Sequence, residues 1–299
     1  MSSGFVHEQA SGATRTAKLG LSLGALAPEH DGPGVRGRVA RDAAEEALRV
    51  FARGGLGLFH GPEGAERWLD GVGDARLVVH LKSDALGPDH VEGRLGLARE
   101  RLRKSCGLDL LIDGSRLLAP DGDALWCAAG KLEDWGAEPG MVGIAVEPGG
   151  DALGLARRFK PRLMQVSVSL LDQRLIASGA LAEIAAMGVE IHLHTQLLRG
   201  LLFLPREGLP PAMADAGPQV SRVRRQIAEA GADPLQAALA FALDRPEAQS
   251  VIVEAGSGGE VRALMAAAAQ PSPRLDWTAL ALDNPSALDA EARMGRQAA

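Results

Sequence analysis

Short apolar segments alternate with amphipathic segments along most of the chain, and this alternation restricts the possible folds more than any other feature. "KLGLSLGAL" predicts a strand, and "ARDAAEEALRVFARGG" predicts a helix with Ala44, Ala47, Leu48 and Phe51 on one face. The unit recurs until about eight strands have been counted, each followed by a helix. Such alternation predicts a parallel sheet with helices outside it, and eight units favour closure into a single (β/α)8 barrel.

The chain has 299 residues, a length that α/β barrels commonly occupy as one domain. We expect the barrel to span residues 17–285, after a mobile segment 1–16 and before a C-terminal tail 286–299. Trp277 is expected to hold the last part of the chain on the outside of the barrel. Asp233 and Pro234 predict the start of a helix, as N-cap and first-turn residue.

Composition argues against several classes of function. The 32 basic and 38 acidic side chains give a net charge of −6, which disfavours nucleic acid as a partner. No apolar run approaches the length of a membrane span, and the first sixteen residues lack a signal-peptide pattern, so we expect a cytoplasmic protein without a membrane partner. Cys106 and Cys127 have no metal-site spacing, and we expect both to be buried packing residues.

In a (β/α)8 barrel, functional side chains lie at the carboxyl ends of the strands, which form the barrel mouth. In "GLGLFHGPEGAERWLDG" a strand is predicted to end at Phe59, so that His60 and Glu63 are exposed at its carboxyl edge. The same reasoning gives a set of candidate mouth residues for a small-molecule ligand: His60, Lys82, Asp113, Ala145, Gln165, Ser169, His194 and the glycine turn 256–259.

Several stretches resemble the aldo-keto reductase family, in particular a bacterial branch associated with sugar and polysaccharide metabolism. They are "LLAPDGDALW", "VSLLDQRLIASGALAEIAAMGVEIH", "LLRGLLFLPREGLPP" and "DPLQAALAFALDRPEAQSVIV". The resemblance extends over residues 17–285 and implies a barrel of aldo-keto reductase type. It also implies reduction of carbonyls with NADPH, by an aspartate, a tyrosine, a lysine and a histidine.

This chain departs from that catalytic set. By resemblance, Lys82 matches the lysine, whereas His60 stands at the aspartate position, Asp113 at the histidine position and Glu63 near the tyrosine position. None of the 299 residues is a tyrosine, so the phenol that donates the proton in the family is missing. A glutamate beside a lysine is held ionised and accepts a proton more readily than it donates one.

The residues expected to hold the cofactor also differ from the family. Gln165 is retained, Ala145 replaces a serine and Ser169 replaces an asparagine. At the last turn Glu254 adds a carboxylate that repels the 2′-phosphate of NADPH, which leaves NADPH binding possible by resemblance but at an eroded site. The turn of Gly256, Ser257, Gly258 and Gly259 still presents backbone N–H groups at a helix start, with Arg262 nearby. This glycine-rich sequence is explained equally well by a phosphate site and by an ordinary strand-to-helix turn without a ligand.

Two histidines alternate on the seventh strand and should point the same way. His192 and His194 could form half of a metal site with Asp113 or Glu63, but a satisfied barrel residue is the more common role for His192, and we expect no metal. His80, two residues before Lys82, is expected to be a polar core residue facing inward.

The sequence therefore favours an aldo-keto-reductase-like protein of small-molecule metabolism, for example of carbohydrates. We expect ordinary NADPH-dependent reduction to be impaired, or replaced by acid–base chemistry of His60, Glu63, Lys82, Asp113 and His194. Two alternatives remain open: an active oxidoreductase with a histidine as proton donor, and a non-catalytic barrel that senses a ligand or binds a partner.

Overall fold

A closed barrel of eight parallel strands forms the centre of the molecule, as the alternation predicts. The computed structural model describes residues 15–24, 41–69, 72, 74–81, 87, 89–91, 93, 96, 106–131, 140–194, 198–203, 215–284 and 288–289. The strands are β1 (Leu19–Ser22), β2 (Leu58–Pro62), β3 (Ala75–Leu81), β4 (Cys106–Asp113), β5 (Val142–Val146), β6 (Leu163–Ser167), β7 (Glu190–His194) and β8 (Ser250–Glu254). Each strand pairs with the next in sequence, and β8 closes the barrel by pairing with β1.

Helices connect the strands on the outside of the barrel. Their bounds are α1 (Arg41–Arg53), α2 (Gly114–Leu117), α3 (Gly122–Gly130), α4 (Ala152–Phe159), α5 (Arg174–Ala177), α6 (Ala180–Ala186), α7 (Gly217–Glu229), α8 (Pro234–Leu243) and α9 (Gly258–Ala269). Short 3₁₀ segments lie at Ala65–Trp68, Leu198–Phe203 and Thr278–Leu280. Most of the helix predicted from His90 to Ser105 lies outside the described residues.

The main hydrophobic core lies between the strands and the surrounding helices. On β2, for example, Phe59 is fully buried, and its ring centroid lies 5.5 Å from that of Phe51 on α1. A much smaller apolar cluster forms separately from Val78, Leu111, Ala145 and Leu163. These residues belong to the strand face opposite that of Phe59, so the cluster lies inside the barrel.

Residues just outside the predicted bounds of the barrel domain contact the rest of the protein at both ends. Residues 1–14 lie outside the described part, but Arg15 is buried and pairs with Asp244 at 3.1 Å. In the predicted tail, Leu288 is buried and Asp289 accepts a hydrogen bond from Arg174 at 2.9 Å. The chain is therefore anchored at least two residues before position 17 and as far as position 289.

Some local details of the outer layer agree with the sequence predictions, and one does not. Asp233 caps α8 by accepting the Gln236 N–H at 2.9 Å, as predicted. Trp277 packs edge-on against Phe241, with ring centroids 5.6 Å apart. Cys127 is exposed, and its predicted burial is wrong because α3 turns Leu125, Ala128 and Ala129 towards the core instead. The side chain of Cys106 lies outside the described part.

Among the described residues, no helix is both long enough and apolar enough to span a bilayer.

Candidate functional site

Two histidines from opposite sides of the barrel meet in its interior. Nε2 of His60 on β2 lies 2.8 Å from Nδ1 of His192 on β7. These strands are not neighbours, because β1 and β8 lie between them in the closed sheet. The rings can therefore meet only across the interior, where their centroids are 4.9 Å apart.

The surroundings of His60 differ from those expected for an exposed edge residue. Only 4% of His60 is exposed, and its Nδ1 lies 2.9 Å from Oε1 of Gln165 on β6. The predicted exposure of His60 is wrong because β2 does not end at Phe59: it continues to Pro62, which pairs with His80 on β3. Since strand side chains alternate between the two faces, His60 points inward and Phe59 outward.

Charged side chains continue the contacts of His192 towards the amino ends of β3 and β7. Nε2 of His192 lies 2.7 Å from Oε1 of Glu190, and the same oxygen accepts a hydrogen bond from Nη1 of Arg76 at 2.6 Å. Arg76 also donates from Nε to Oδ2 of Asp109. The second oxygen of Asp109 accepts the backbone N–H of Met141 at 2.6 Å.

A continuous series of polar contacts thus runs through the barrel, which we call the interior chain. Its members, in order of contact, are Asp109, Arg76, Glu190, His192, His60 and Gln165. Barrel interiors are more often filled with layers of branched apolar side chains. A polar series at this position is expensive to bury unless each group has a partner, and each member of the interior chain has at least one.

The environment shifts the protonation of several members of the interior chain. Burial lowers the pKa of His60 well below its usual value, and the nearby His192 and His194 lower it further. Burial opposes ionisation of Glu190, but hydrogen bonds from His192 and Arg76 outweigh it and lower the pKa of Glu190 to about 2. Near neutral pH, Glu190 is therefore a carboxylate and His60 a neutral imidazole.

Two site residues predicted at the mouth, Glu63 and Asp113, make their described contacts with residues outside the interior chain. Glu63 lies 3.2 Å from Nε2 of His90. Asp113 caps the short helix α2, accepting the backbone N–H of Ser115 at 3.0 Å and its hydroxyl at 2.9 Å. Lys82, the residue matched to the family's lysine, lies outside the described residues.

His194 is a candidate closer to solvent. It ends β7, its side chain is 29% exposed, and its Nε2 lies 4.0 Å from Oε1 of Glu254 at the end of β8. Because His192 and His194 lie on the same face of β7, His194 sits above the interior chain at the mouth.

The predicted cofactor residues on β6 and in its following loop are engaged within the protein. Gln165 is hydrogen-bonded to His60, as described above. Ser169 is buried, and its hydroxyl accepts the backbone N–H of Asp172 at 3.0 Å. Both polar groups therefore have protein partners in this structure.

The glycine turn before α9 forms its own cap. Ser257 accepts the backbone N–H of Glu260 at 3.2 Å, and Oε2 of Glu260 accepts the backbone N–H of Gly256 at 2.8 Å. This reciprocal arrangement is typical of a helix capping box. A Cβ added at Gly258 would lie 2.6 Å from Oε1 of Glu46, whereas Gly259 has space.

Arg262, predicted to help at this turn if it pointed inward, points outward instead. It lies one turn into α9 and pairs with Glu46 of α1 at 3.3 Å, with 61% of its side chain exposed. Helix α9 packs against α1 on the outside of the barrel, and this packing sets the direction of the side chain.

Within the described ranges, no three His, Cys, Asp or Glu side chains are grouped so that they could hold a metal ion. His192 contacts Glu190 with one ring nitrogen and His60 with the other, rather than Asp113 or Glu63.

Sequence reasoning placed His192 and Gln165 on the correct strands and His60 just beyond its strand, but missed Glu190, Arg76 and Asp109. A signal was present on β7, where "EIHLH" places Glu190 on the same face as both histidines. Arg76 and Asp109 gave no comparable signal, because single charged residues near the start of a strand are usually exposed.

Comparison with known proteins adds information on the fold. No family model and no curated protein matches the chain. One similar solved structure is that of the aldo-keto reductase AKR11C1 from Bacillus halodurans in its holo form. It has a TM-score of 0.66 and 16% identity, over 94% of this chain and 92% of that one. The fold is that of an aldo-keto reductase.

Proposed function

We propose that this barrel binds a small molecule at its mouth and exchanges a proton with it through His60, in place of ordinary NADPH-dependent carbonyl reduction. The observation on which this rests is the contact of His60 with His192 at 2.8 Å inside the barrel, continued by Glu190. A neutral, buried imidazole with a hydrogen-bonded partner can accept or release a proton near neutral pH.

The missing phenol supports the proposal. By the family resemblance, a tyrosine would donate the proton during reduction, and this chain contains none. Glu63, near the corresponding position, is hydrogen-bonded to His90. A carboxylate in such a pair is a poor proton donor at neutral pH.

The contacts at the glycine turn support the loss of the NADPH site. The backbone N–H of Gly256, which a phosphate would need, already donates to the Glu260 carboxylate. Arg262 is paired with Glu46, and Glu254 leaves another carboxylate exposed nearby. Since these residues repel a phosphate rather than fit one, no step of the proposed chemistry uses a dinucleotide.

The proposed ligand is a small hydroxy-carbonyl compound, such as a carbohydrate, with a weakly acidic C–H beside its carbonyl. His60 would remove or return that proton at Nδ1, the ring nitrogen that Gln165 contacts in this structure. His194 and Glu254 at the strand ends, and Lys82 by resemblance, would contact the oxygen atoms. Epimerisation and isomerisation are the reaction classes that such proton exchange supports.

The experiment follows both chemistries on the same panel of aldehydes, ketoses and aldoses. We expect no family-typical NADPH oxidation and no tight NADPH binding by fluorescence titration. In D₂O, proton NMR should show deuterium entering the position beside the carbonyl of at least one compound. The exchange should be lost in His60→Gln and retained in His90→Gln, a histidine with 42% of its side chain exposed.

Two results would overturn this function. Robust NADPH turnover that Lys82→Met abolishes would make the protein a reductase, with a histidine as the acid. Neither turnover nor exchange on the panel, with biological activity intact after replacement of His60 and Asp113 by alanine, would leave a non-catalytic, ligand-sensing or partner-binding barrel.

A further inference from the structure

The hydrogen bonds of the interior chain determine how many protons its two histidines hold. Glu190 is ionised, so its oxygen can only accept, and the facing Nε2 of His192 must carry a proton. With the Gln165 amide in the orientation of this structure, its Oε1 can also only accept, so Nδ1 of His60 carries one as well. A third proton must lie between the rings, because two bare nitrogens 2.8 Å apart would repel each other.

Two neutral imidazoles carry only two ring protons between them, one each. The three contacts therefore require one proton more than two neutral rings provide. Burial opposes the charge on His60, and Glu190 lies beside His192, so the extra charge belongs on His192.

Charge balance inside the barrel favours the same arrangement. Arg76 contributes one positive charge, whereas Asp109 and Glu190 contribute one negative charge each. With both histidines neutral, the interior chain would hold a net negative charge beside the two buried rings, with Asp109 buried and Glu190 23% and Arg76 32% exposed. A protonated His192 makes it neutral, and buried charges are tolerated when they are balanced and hydrogen-bonded.

We propose that His60 and His192 hold three ring protons in the ligand-free protein, that His192 supplies the third proton to His60, and that Glu190 is a positioning residue that holds His192 in its protonated form. The supply to a ligand rests on the function proposed above, whereas the proton count does not. Among the described residues, the other titratable groups around the pair include His80 on β3 and His194 on β7, with Glu254 on β8 beside His194.

The transfer conserves protons. A ligand atom that takes the place of Gln165 Oε1 receives the proton from Nδ1 of His60. The proton on Nδ1 of His192 then moves to Nε2 of His60, over the 2.8 Å contact. Both rings finish neutral with two protons between them, the ligand has gained one, and the reverse sequence takes a proton from the ligand.

The test is a spectroscopic count of ring protons on the protein alone. Histidine-labelled protein (¹⁵N) would be examined by long-range ¹H–¹⁵N NMR at pH 8.5, where exposed histidines are neutral. Of the seven histidines, we expect one with both nitrogens protonated, and another neutral with its proton on Nδ1. His192→Gln should remove the first signal and His60→Gln the second, while His90→Gln should remove neither.

Glu190→Gln removes the charge that balances His192, and we expect the doubly protonated signal to become that of a neutral ring. The wild-type count needs no variant, so a folding defect in any of them leaves the test valid. If every histidine is neutral at pH 8.5, the proposal is overturned. A rotated Gln165 amide and two ring protons would then satisfy all the contacts of the interior chain. If the count holds but deuterium exchange is absent, the proposed function fails and the proton store remains.

Discussion

The two faces of the barrel strands have opposite chemistry, although residues of the inner and outer faces alternate along each strand. On β7, Ile191 and Leu193 are fully buried in the core outside the barrel. Between and beside them, Glu190, His192 and His194 face inward, and two of these belong to the interior chain. The outer face thus provides stability by apolar burial, whereas the inner face holds charges and protons whose arrangement suits chemistry.

This comparison shows how a barrel divides stability from function. Between the eight strands and their helices most of the apolar surface is buried, and the free energy of this burial offsets the cost of desolvating a polar interior. The interior chain is not stabilised by apolar burial in this way. Each of its members depends on the charge and protonation of its neighbours. The two faces should therefore respond differently to mutation and to pH.

The largest effect is expected in the outer core. Phe59→Ala should lower the free energy of unfolding by about 3–5 kcal/mol, because it leaves a cavity against Phe51 that the surroundings can fill only in part. Urea denaturation measures the change. The matched control is Phe203→Ala, which alters a phenylalanine that is 49% exposed and should change stability by no more than about 0.5 kcal/mol. Equal losses in the two variants would remove the distinction between core and surface.

An intermediate, pH-dependent effect is expected inside the barrel. The pKa of Glu190 falls from 4.5 to about 2 on folding, so its stabilisation is complete above pH 4.5 and disappears as the pH falls through about 2. Glu190→Gln should lower the free energy of unfolding by about 2 kcal/mol at pH 7, after allowance for partial exposure. The difference from wild type should shrink below pH 4.

Urea unfolding at several pH values tests this prediction, with Glu183→Gln as control. Glu183 pairs with Arg157 on the surface, where 47% of its side chain is exposed, and its replacement should have little effect at any pH. A loss for Glu190→Gln that is the same at pH 3 and pH 7 would mean that its ionisation does not stabilise the interior chain.

The smallest effect is expected on the outer surface near the glycine turn. Arg262→Ala removes an exposed pair with Glu46 and should change stability by less than about 0.5 kcal/mol. Because Arg262 points away from the mouth, the variant should also leave NADPH fluorescence titration unchanged. Weaker NADPH binding in this variant would identify the turn as a phosphate site after all.

Most of the fold could be predicted because its determinants are local. The alternation of apolar strands with amphipathic helices gave the number and order of the elements, and parallel strands of this number close into a barrel. The end of β2 was misplaced because Gly61 and Pro62 normally indicate a turn, yet here both pair with β3. That single error moved His60 from the interior to the surface in the sequence interpretation.

For the candidate site, the sequence predicted several of the residues but not their contacts. Strand periodicity put His192 and His194 on one face, and the composition established that no phenol is present. Glu63 and Asp113 have partners that the sequence did not indicate: His90, 27 positions from Glu63, and Ser115, two positions from Asp113. The grouping of His60, Glu63, Lys82 and Asp113 as acid–base residues stays a prediction, since the contacts of Lys82 lie outside the described part.

The sequence by itself determined the strands, their alternating faces and the absence of a tyrosine, because these depend on residue type and short-range spacing. Only the tertiary structure decided that His60 meets His192, 132 positions further along the chain, and that Arg76 joins Glu190 to Asp109. Arg76 and Asp109 lie on neighbouring strands, but the other partners lie on strands that are brought together only when the sheet closes, and no local pattern records which inward side chains will then be in contact.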